Sequence, residues 1–498
     1  MQLFAFVLYF IAMLAIGIYF FFATKNNSGE KEYFLGGRQM GPWVTAMSAQ
    51  ASDMSAWLLM GLPGSILAFG FGKAWIGIGL TIGTILNWIL VAKRLRKFSE
   101  ASRDAITVPQ YLSNRFLAKN HILSVICAFV FLVAFTLYVA SGFAAGAKVF
   151  VTLIPSLSPQ TAMIIFAAII ILYTFLGGFK AVCWTDFFQG LLMIVALLAV
   201  PLIIVFTQSQ SLDLSSLSKV YEFNGTKYEF IANFFSASWT DIASGLAWGL
   251  GYFGMPHIIV RFMSIEKPSM VKKSATVAIV WVVISLASTI AIAIFGRMLI
   301  AEELLTTGAQ EMVFVNLAGK LFPPFIAGIL LAAIIAASMS TADSQLLVAS
   351  SSFTSDIYKP LFRKNASDKE LLWVGRIVVL VVSLIAYFIA SSKGEGAGAI
   401  MSMVENAWGL FGASFGPVIL LSLFWKRFTY KGAVAGIISG AVIDVLWLIF
   451  LSSSTGIYEI IPGFALGFLI SVIVTLLDKK PSDEVISIFD NATKNLDY

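Results

Sequence analysis

The chain has 498 residues, of which 59% are hydrophobic and only 12% are charged, and its mean hydropathy is +0.88. Soluble globular domains carry about 25% charged residues, so this composition excludes an ordinary soluble protein and indicates a chain that crosses a membrane many times. The net charge of +6 comes from basic loops that face anionic lipid, and it gives no argument for nucleic-acid binding.

Apolar segments long enough to cross a bilayer recur along the whole chain. A hydrocarbon core of about 30 Å requires about 20 apolar residues per helix. The first such segment has neither a positive n-region nor a small-residue cleavage site, so we expect a retained helix and not a signal peptide. The sequence predicts an all-α polytopic membrane protein with about thirteen transmembrane helices, near residues 3–23, 42–68, 73–92, 122–153, 160–178, 186–207, 236–260, 275–299, 322–352, 371–391, 398–425, 430–451 and 458–478.

The distribution of basic residues between the loops predicts the orientation of the chain. With the N-terminus outside, 26 of the 33 Lys and Arg residues fall on the cytoplasmic side and seven on the other. Short cytoplasmic loops are enriched in Lys and Arg. We therefore expect the N-terminus outside and the C-terminus in the cytoplasm.

Two of the predicted helices are interrupted by glycine and proline. The second reads ASDMSAWLLMGLPG over 51–64 and the seventh reads SGLAWGLGYFGMPH over 244–257. Broken helices are tolerated in a membrane only where protein or a wet cavity covers the break. Glycine and proline are also common in membrane helices generally, so the breaks alone leave ordinary packing open.

The spacing of these interruptions predicts an internal repeat. The two broken helices lie five helices apart, and because five is odd, two successive five-helix units have opposite topology. This arrangement is typical of inverted-repeat transporters with a site at the membrane midplane. The predicted organisation is an extra helix and loop at 1–38, a first repeat at 39–210, a second repeat at 211–428, and extra helices with a cytoplasmic tail at 429–498.

Asp53 is a lone carboxylate within the second helix, since no other charged residue lies between Arg38 and Lys73. A charge at the centre of a membrane helix costs about 2.5–3.5 kcal/mol, so an acid there usually faces a cavity or a partner. A break beside it would free the carbonyl groups of Ala51 and Met54. Such oxygen ligands suit a small alkali cation.

The ninth helix carries a complementary polar face. Ala337, Ser340, Thr341 and Ser344 follow one another at i, i+3, i+4 and i+7, which places them on one side of a helix. The hydroxyl groups are suitable ligands for the same cation. The alternative is that these small and hydroxylated residues only let helices pack closely.

Two further acids, Asp186 and Asp343, are expected toward the cytoplasmic third of the membrane, where they would serve cation exit. Asp186 also reads as the N-cap of a helix that opens there, and Asp343 as an interfacial acid paired with a nearby base. Both alternatives remain open at this level.

Aromatic residues on or near the broken helices, Trp57, Tyr138, Trp248 and Tyr252, form a candidate wall for a small apolar ring. Most aromatic residues in such a chain are core or interface residues, and only this placement singles these out. No metal-binding Cys/His spacing, phosphate loop or nucleophile motif lies in a plausible context. The sequence therefore disfavours an enzyme.

Several segments together resemble the sodium/solute symporter family, in particular its bacterial sodium/proline symporter branch. The resemblance covers residues of about 30 to 480, and its most specific segments are SAQASDMSAWLLMGLPG, FTLYVASGFAAGAKVF, GLAWGLGYFGMPHIIVRFM and IAGILLAAIIAASMSTADSQLLV. It implies an inverted five-plus-five core with broken first core helices, located in the bacterial plasma (inner) membrane. It also implies symport of one sodium ion (Na⁺) with one L-proline.

The resemblance also implies roles for individual residues. Sodium ligands are expected at Ala51, Met54, Ala337, Ser340 and Thr341, with Asp53 linked to the sodium site. Substrate-binding residues are expected at Trp57, Gly61, Tyr138, Trp248, Tyr252 and Pro256. A second cation or exit path would involve Asp186, Asp343 and Ser344, although the acid at 343 stands where such relatives have a hydroxyl group.

Other functions remain as alternatives. A sodium symporter for another amino acid, pantothenate or a sugar would keep the ion residues and change the pocket. A transporter-like sensor would need a signalling domain, and the tail after residue 479 is short for one. A channel is disfavoured by the broken helices.

Overall fold

A computed structural model of the protein describes residues 1–24, 29–176, 178–394 and 396–494. Helices dominate these ranges. The α-helices are α1 Gln2–Thr24, α2 Glu30–Leu35, α3 Pro42–Asp53, α4 Gly61–Phe69, α5 Phe71–Leu86, α6 Lys93–Ala101, α7 Val108–Arg115, α8 Ile122–Leu153, α9 Pro159–Leu176, α10 Phe179–Thr207, α11 Trp239–Ala247, α12 Pro256–Ser264, α13 Val271–Leu305, α14 Val313–Leu321, α15 Pro324–Ser351, α16 Asp368–Lys393, α17 Ala399–Phe424, α18 Tyr430–Phe450, α19 Ser452–Thr455, α20 Ile460–Leu477 and α21 Asp483–Thr493.

The long apolar helices agree with most of the predicted membrane spans. Within the described ranges, ten helical segments are long and apolar enough to cross a bilayer. The other three predicted spans coincide with shorter pieces: 42–68 with α3 and α4, 160–178 with α9, and 236–260 with α11 and α12. The all-α membrane fold is therefore confirmed, whereas the count of thirteen crossings stays a prediction.

Burial separates central helices from peripheral ones. In the most apolar stretch of each helix, the buried share of residues is 83% in the segment containing α15 and 89% in α17. The same share is 28% in α1, α16, α18 and α20. The peripheral helices expose large apolar side chains, which are stable only against lipid. The ion-ligand candidates of α15 consequently lie at the centre of the bundle, where α1, α8 and α10 pack around that helix.

The two interrupted helices are joined to each other at both ends. The main chain at Met40, before α3, pairs with Ile265, after α12. At the other end, Gly70, after α4, pairs with Ile231, before α11. These bridges hold the two broken helices side by side, with the interruptions of both between the two bridges.

A β-hairpin in the connection between α10 and α11 was not predicted. Its strands, β1 Tyr221–Phe223 and β2 Thr226–Tyr228, are antiparallel. The two turn residues, Asn224 and Gly225, both have positive φ, and Asn-Gly is the strongest short-range signal for such a hairpin. The signal was present in the sequence, but the flanking strands are only three residues long.

Candidate ion and substrate site

The first interruption separates α3 from α4. Helix α3 ends at Asp53, and Met54 and Ser55 leave the helical conformation, with φ/ψ of −84°/80° and −73°/−167°. The Ser55 hydroxyl accepts a hydrogen bond from the main-chain N–H of Trp57, which starts a short 3₁₀ turn over Ala56–Leu58. The chain is thus locally unwound where the sequence predicted a break.

The second interruption separates α11 from α12 by a 3₁₀ segment, Trp248–Phe253. Helix α12 begins at Pro256, whose ring suits the first position of a helix because no N–H is needed there. Glycine is required at 251, since a Cβ atom would lie 1.9 Å from Nε1 of Trp408. His257, inside the predicted span 236–260, lies at the start of α12 and is fully buried.

Asp53 connects the first break to three of the four candidate aromatic residues. The Tyr252 hydroxyl donates to Asp53 Oδ2 at 2.5 Å. The main-chain oxygen of Asp53 accepts from Trp57 Nε1 at 3.3 Å and from the Tyr138 hydroxyl at 3.4 Å. The other carboxylate oxygen, Oδ1, is buried without a hydrogen-bond partner among the described atoms.

The ion-ligand candidates from the two helices also meet. The Ser340 hydroxyl on α15 donates to the main-chain oxygen of Ala51 on α3 at 2.7 Å and to that of Ala337 at 3.2 Å. Thr341 Oγ1 is buried and has no partner in the described part of the chain. Carbonyl and hydroxyl oxygens are hard ligands of the kind that Na⁺ accepts.

A different kind of metal site finds no support in the structure. Among the residues described, no group of three or more His, Cys, Asp or Glu side chains is placed to hold a metal ion. Cys127 and Cys183 are buried as free cysteines.

Trp408 on α17 contacts the candidate site residues and was not identified by the sequence analysis. Its Nε1 donates to the main-chain oxygen of Trp248 at 2.8 Å. Its ring stacks on the Trp248 ring at 6.1 Å and meets the Tyr252 ring edge-on at 5.1 Å. Trp408 therefore positions both aromatic residues of the second break. The only signal for it was a tryptophan in the eleventh predicted helix.

The remaining substrate candidates lie at the first residues of α4 and α12, the helices that follow the two interruptions. Gly61 is the first residue of α4, and a Cβ there would contact Trp57 and Met401 at the ordinary distance of 3.4 Å. Pro256 holds the corresponding position in α12. These N-termini carry the positive end of the helix dipole, and Pro63 in α4 and Pro256 in α12 contribute no N–H group there.

The candidate aromatic residues are buried. Trp57, Tyr138, Trp248 and Tyr252 are each about 1% exposed. A small molecule reaches these side chains only after the surrounding helices move, as alternating access requires.

Arg38 links the segment before α3 to α6, the following loop and α12. Its guanidinium donates to Ser99 at 3.0 Å, to the carbonyl of Ala105 at 2.7 Å and to the carbonyl of Met263, and it pairs with Asp104 at 2.8 Å. Burial raises the pKa of Asp104, but hydrogen bonds and charge from Lys31 and Arg38 outweigh it and leave this pKa below its ordinary value. The acid therefore stays ionised beside Arg38.

The third group of candidates forms an ion pair that the sequence did not predict. Arg261 Nη2 lies 3.2 Å from Asp186 Oδ2 and 2.5 Å from the Ser344 hydroxyl, and Ser48 donates to the same Asp186 oxygen at 2.7 Å. The alternative that Asp186 caps the start of a helix is not supported, because Asp186 lies two turns inside α10. Arg261, one residue beyond the predicted span 236–260, is a buried residue of α12.

Asp343 does not join this ion pair by a hydrogen bond. Both of its carboxylate oxygens are buried without a partner in the described residues. The alternative that Asp343 pairs with a nearby base finds no hydrogen bond to support it among the described residues. The structure brings Asp186 and Ser344 together through Arg261, which the predicted span ending at 260 had excluded from the membrane.

Taken together, two adjoining broken helices, an oxygen-rich contact between α3 and α15 and an enclosed aromatic wall define a membrane transporter rather than an enzyme. The family model described as "Sodium:solute symporter family" matches residues 33–440. The chain belongs to the sodium:solute symporter family.

Close relatives align with nearly the whole chain. It is 44% identical to the sodium/proline symporter of Haemophilus influenzae, over 99% of this chain and 98% of that protein. It is also 44% identical to the sodium/proline symporter of Escherichia coli, covering 97% and 94%. Identity with the high-affinity proline transporter PutP of Bacillus subtilis is 43%, covering 96% and 98%.

Two solved structures support the fold. A Na⁺-coupled sialic acid symporter in a substrate-bound outward-open state aligns with a TM-score of 0.71 at 20% identity, over 97% of this chain and 98% of that one. Mhp1, a nucleobase-cation-symport-1 family transporter, aligns with a TM-score of 0.55 at 14% identity, over 92% and 98%. The architecture is therefore that of cation-coupled transporters.

Proposed function

We propose that the protein takes up L-proline by symport with Na⁺ through alternating access. The observation that carries this proposal is the position of Asp53. It lies two residues from the ion-ligand candidate Ala51, and its carboxylate and carbonyl oxygens bind the three aromatic residues Trp57, Tyr138 and Tyr252. The names of relatives 40–44% identical to the chain favour proline as the substrate.

In this proposal Na⁺ binds between α3 and α15. The carbonyl oxygens of Ala51, Met54 and Ala337 and the hydroxyl groups of Ser340 and Thr341 surround it. The Ser340 hydroxyl, which donates to Ala51 at 2.7 Å, turns its oxygen toward the ion. Asp53 affects the sodium site by fixing the geometry of the break and by placing a negative charge near the ion. It is not a direct ligand of the ion.

Proline then docks against the aromatic wall. Its carboxylate meets a half-helix N-terminus, at Gly61 or at Pro256, where N–H groups and the helix dipole favour negative charge. Its ring packs against Trp57, Tyr138, Trp248 and Tyr252. This pairing of a polar end with an apolar ring is what a small zwitterion requires.

Coupling follows because one set of atoms orders both sites. An ion that fixes the break at Met54 also fixes the Asp53 carbonyl, to which Trp57 and Tyr138 donate. The bound ion then raises the affinity for proline, and proline raises the affinity for the ion by the same factor.

One ion supplies enough energy for accumulation. Moving one charge down about 100 mV yields about 2.3 kcal/mol, and a tenfold sodium gradient adds about 1.4 kcal/mol. Together they support a concentration ratio of several hundredfold for a neutral zwitterion.

Asp186, Asp343 and Ser344 then belong to the path by which the ion leaves toward the cytoplasm, or to a second cation site. Arg261 already neutralises one oxygen of Asp186. The proposal also includes an N-terminus outside and a C-terminus in the cytoplasm. Its two repeats are residues 39–210 and 211–428.

Uptake by proteoliposomes that contain the purified protein tests the function. We expect radiolabelled proline to accumulate only when Na⁺ is higher outside, and unlabelled proline to compete better than other amino acids, pantothenate or sugars. Uptake that ignores the sodium gradient would contradict the coupling. Stronger competition by another solute would contradict proline as the substrate and retain the symport.

A further inference from the structure

A cavity of about 400 Å³ lies at the end of α20, away from the ion and substrate residues. It is enclosed by the turn between α7 and α8, the start of α18, and the segment that joins α20 to α21. Lys119, Lys479 and Lys480 line it, and all three are exposed. No ion pair involves these three lysines in the described part of the chain.

The acids near the cavity leave its charge positive. Asp478 is paired with Lys431 at 2.9 Å, so it does not neutralise the lining lysines. Glu484, in the first turn of α21, is the other carboxylate of the described lining. Three ammonium groups therefore face one unpaired acid.

The floor of the cavity is apolar. Phe428 is fully buried and Phe116 is 6% exposed, and their rings meet edge-on at 5.4 Å. A cavity with an apolar floor and a basic rim matches an amphiphile with an anionic head better than it matches a free inorganic anion.

The position of the cavity places it at the headgroup level of the bilayer. Leu477, the last residue of the membrane helix α20, is 83% exposed, and Leu476 is 54% exposed. Side chains of this kind are stable against lipid chains, whereas the polar run Asp478, Lys479 and Lys480 follows them. Basic pockets at this level bind anionic lipid headgroups.

We propose that this cavity binds the phosphodiester headgroup of an anionic phospholipid. The phosphate lies between Lys119, Lys479 and Lys480, and the glycerol and first acyl carbons lie over Phe116 and Phe428. The bound lipid joins the α7–α8 turn to the C-terminal helix α21. This site lies outside the transport machinery, so its test does not depend on the proposed substrate.

The test compares lipid binding by two triple variants of the purified full-length protein. The first, Lys119→Gln/Lys479→Gln/Lys480→Gln, removes the three positive charges at the rim of the cavity. The matched control, Lys272→Gln/Lys364→Gln/Lys369→Gln, removes the same charge from exposed lysines elsewhere on the same predicted side. Phosphatidylglycerol and phosphatidylcholine are titrated against each protein, and retained lipid is counted by native mass spectrometry.

We expect the wild type and the control variant to bind phosphatidylglycerol equally within about twofold, and more tightly than phosphatidylcholine. The cavity variant should lose about 100-fold in affinity for phosphatidylglycerol, because each lysine near an anionic surface contributes about fivefold. Lys480→Gln alone should lose about fivefold, which keeps the test usable if the triple variant is unstable.

Three results would overturn the proposal. Equal losses in both triple variants would mean that only overall charge matters. Unchanged binding in the cavity variant would exclude the site. Full competition by 10 mM inorganic phosphate, without lipid, would assign the lysines to a soluble anion instead of a headgroup.

Discussion

Asp53 is the residue through which the proposed ion and substrate sites are linked. It is fully buried, and among the described residues only one of its carboxylate oxygens has a hydrogen-bond partner, the Tyr252 hydroxyl. A buried acid with an unpaired oxygen is costly unless a positive charge lies near it. A cation between α3 and α15 would supply that charge without being a direct ligand of Asp53.

Removing the Tyr252 hydroxyl tests this connection at the level of single atoms. Tyr252→Phe leaves the Asp53 carboxylate without its described partner, which costs about 1.5–3 kcal/mol for a bond to a charged group. We expect at least a tenfold loss of sodium-driven proline uptake. Tyr138→Phe removes a longer bond of 3.4 Å to a neutral carbonyl and should cost under about threefold. Equal effects of both substitutions would contradict the special role of the carboxylate.

Ser340 is the second residue whose role can be measured directly. Ser340→Ala removes one proposed sodium ligand, a contact to charge of about 1.5 kcal/mol. The sodium concentration for half-maximal uptake should therefore rise about tenfold. Ser351→Ala on the same helix is the control, because within the described ranges that hydroxyl donates to the Val348 carbonyl of its own helix and to no other helix. An unchanged sodium dependence in Ser340→Ala would refute the ligand assignment.

At the scale of elements, the interrupted helices depend on close approach between backbones. A Cβ atom at Gly254 would lie 2.3 Å from the carbonyl oxygen of Phe411 on α17. The segment between α11 and α12 therefore packs directly on the α17 backbone, near Trp408. The break is stabilised by this tertiary contact as well as by Pro256 at the start of α12.

A pair of glycine substitutions tests the contact. Gly254→Ala forces the two segments apart and should destabilise the protein by about 1–3 kcal/mol, as overpacking does. Gly319→Ala in α14 meets no atom within 4 Å and should stabilise its helix by up to about 1 kcal/mol. The measurement is the temperature at which half of the monodisperse protein is lost. A Gly254→Ala variant as stable as the wild type would contradict the close packing.

At the scale of the whole molecule, the helices divide into central and peripheral sets. The central helices α15 and α17 carry Ser340, Thr341 and Trp408, whereas α1, α16, α18 and α20 present apolar side chains to lipid. The candidate aromatic residues are about 1% exposed. In the proposed alternating access, helices move to let the substrate reach them.

The proposed orientation is measurable on intact cells. Cys127 and Cys183 are buried, so a membrane-impermeant maleimide should leave the unmodified chain unlabelled. Ser209→Cys, in the connection after α10, should be labelled from outside. Ser487→Cys, in α21, should be labelled only after the membrane is permeabilised. Both positions are exposed, and the reverse pattern would overturn the positive-inside assignment.

The sequence by itself determined the membrane class, the family and the places where helices break, because apolar length and Gly/Pro interruptions are local properties of the chain. It also singled out Asp53, since a lone acid in an apolar run is visible without a structure. The contacts between residues distant in sequence were visible only in the tertiary structure. Tyr252 meets Asp53 across 199 residues and Trp408 meets Trp248 across 160. The sequence could not show that Arg261 is buried in the membrane, because a guanidinium is buried only where other helices supply a countercharge. Asp186 and Ser344 lie beside it in the structure.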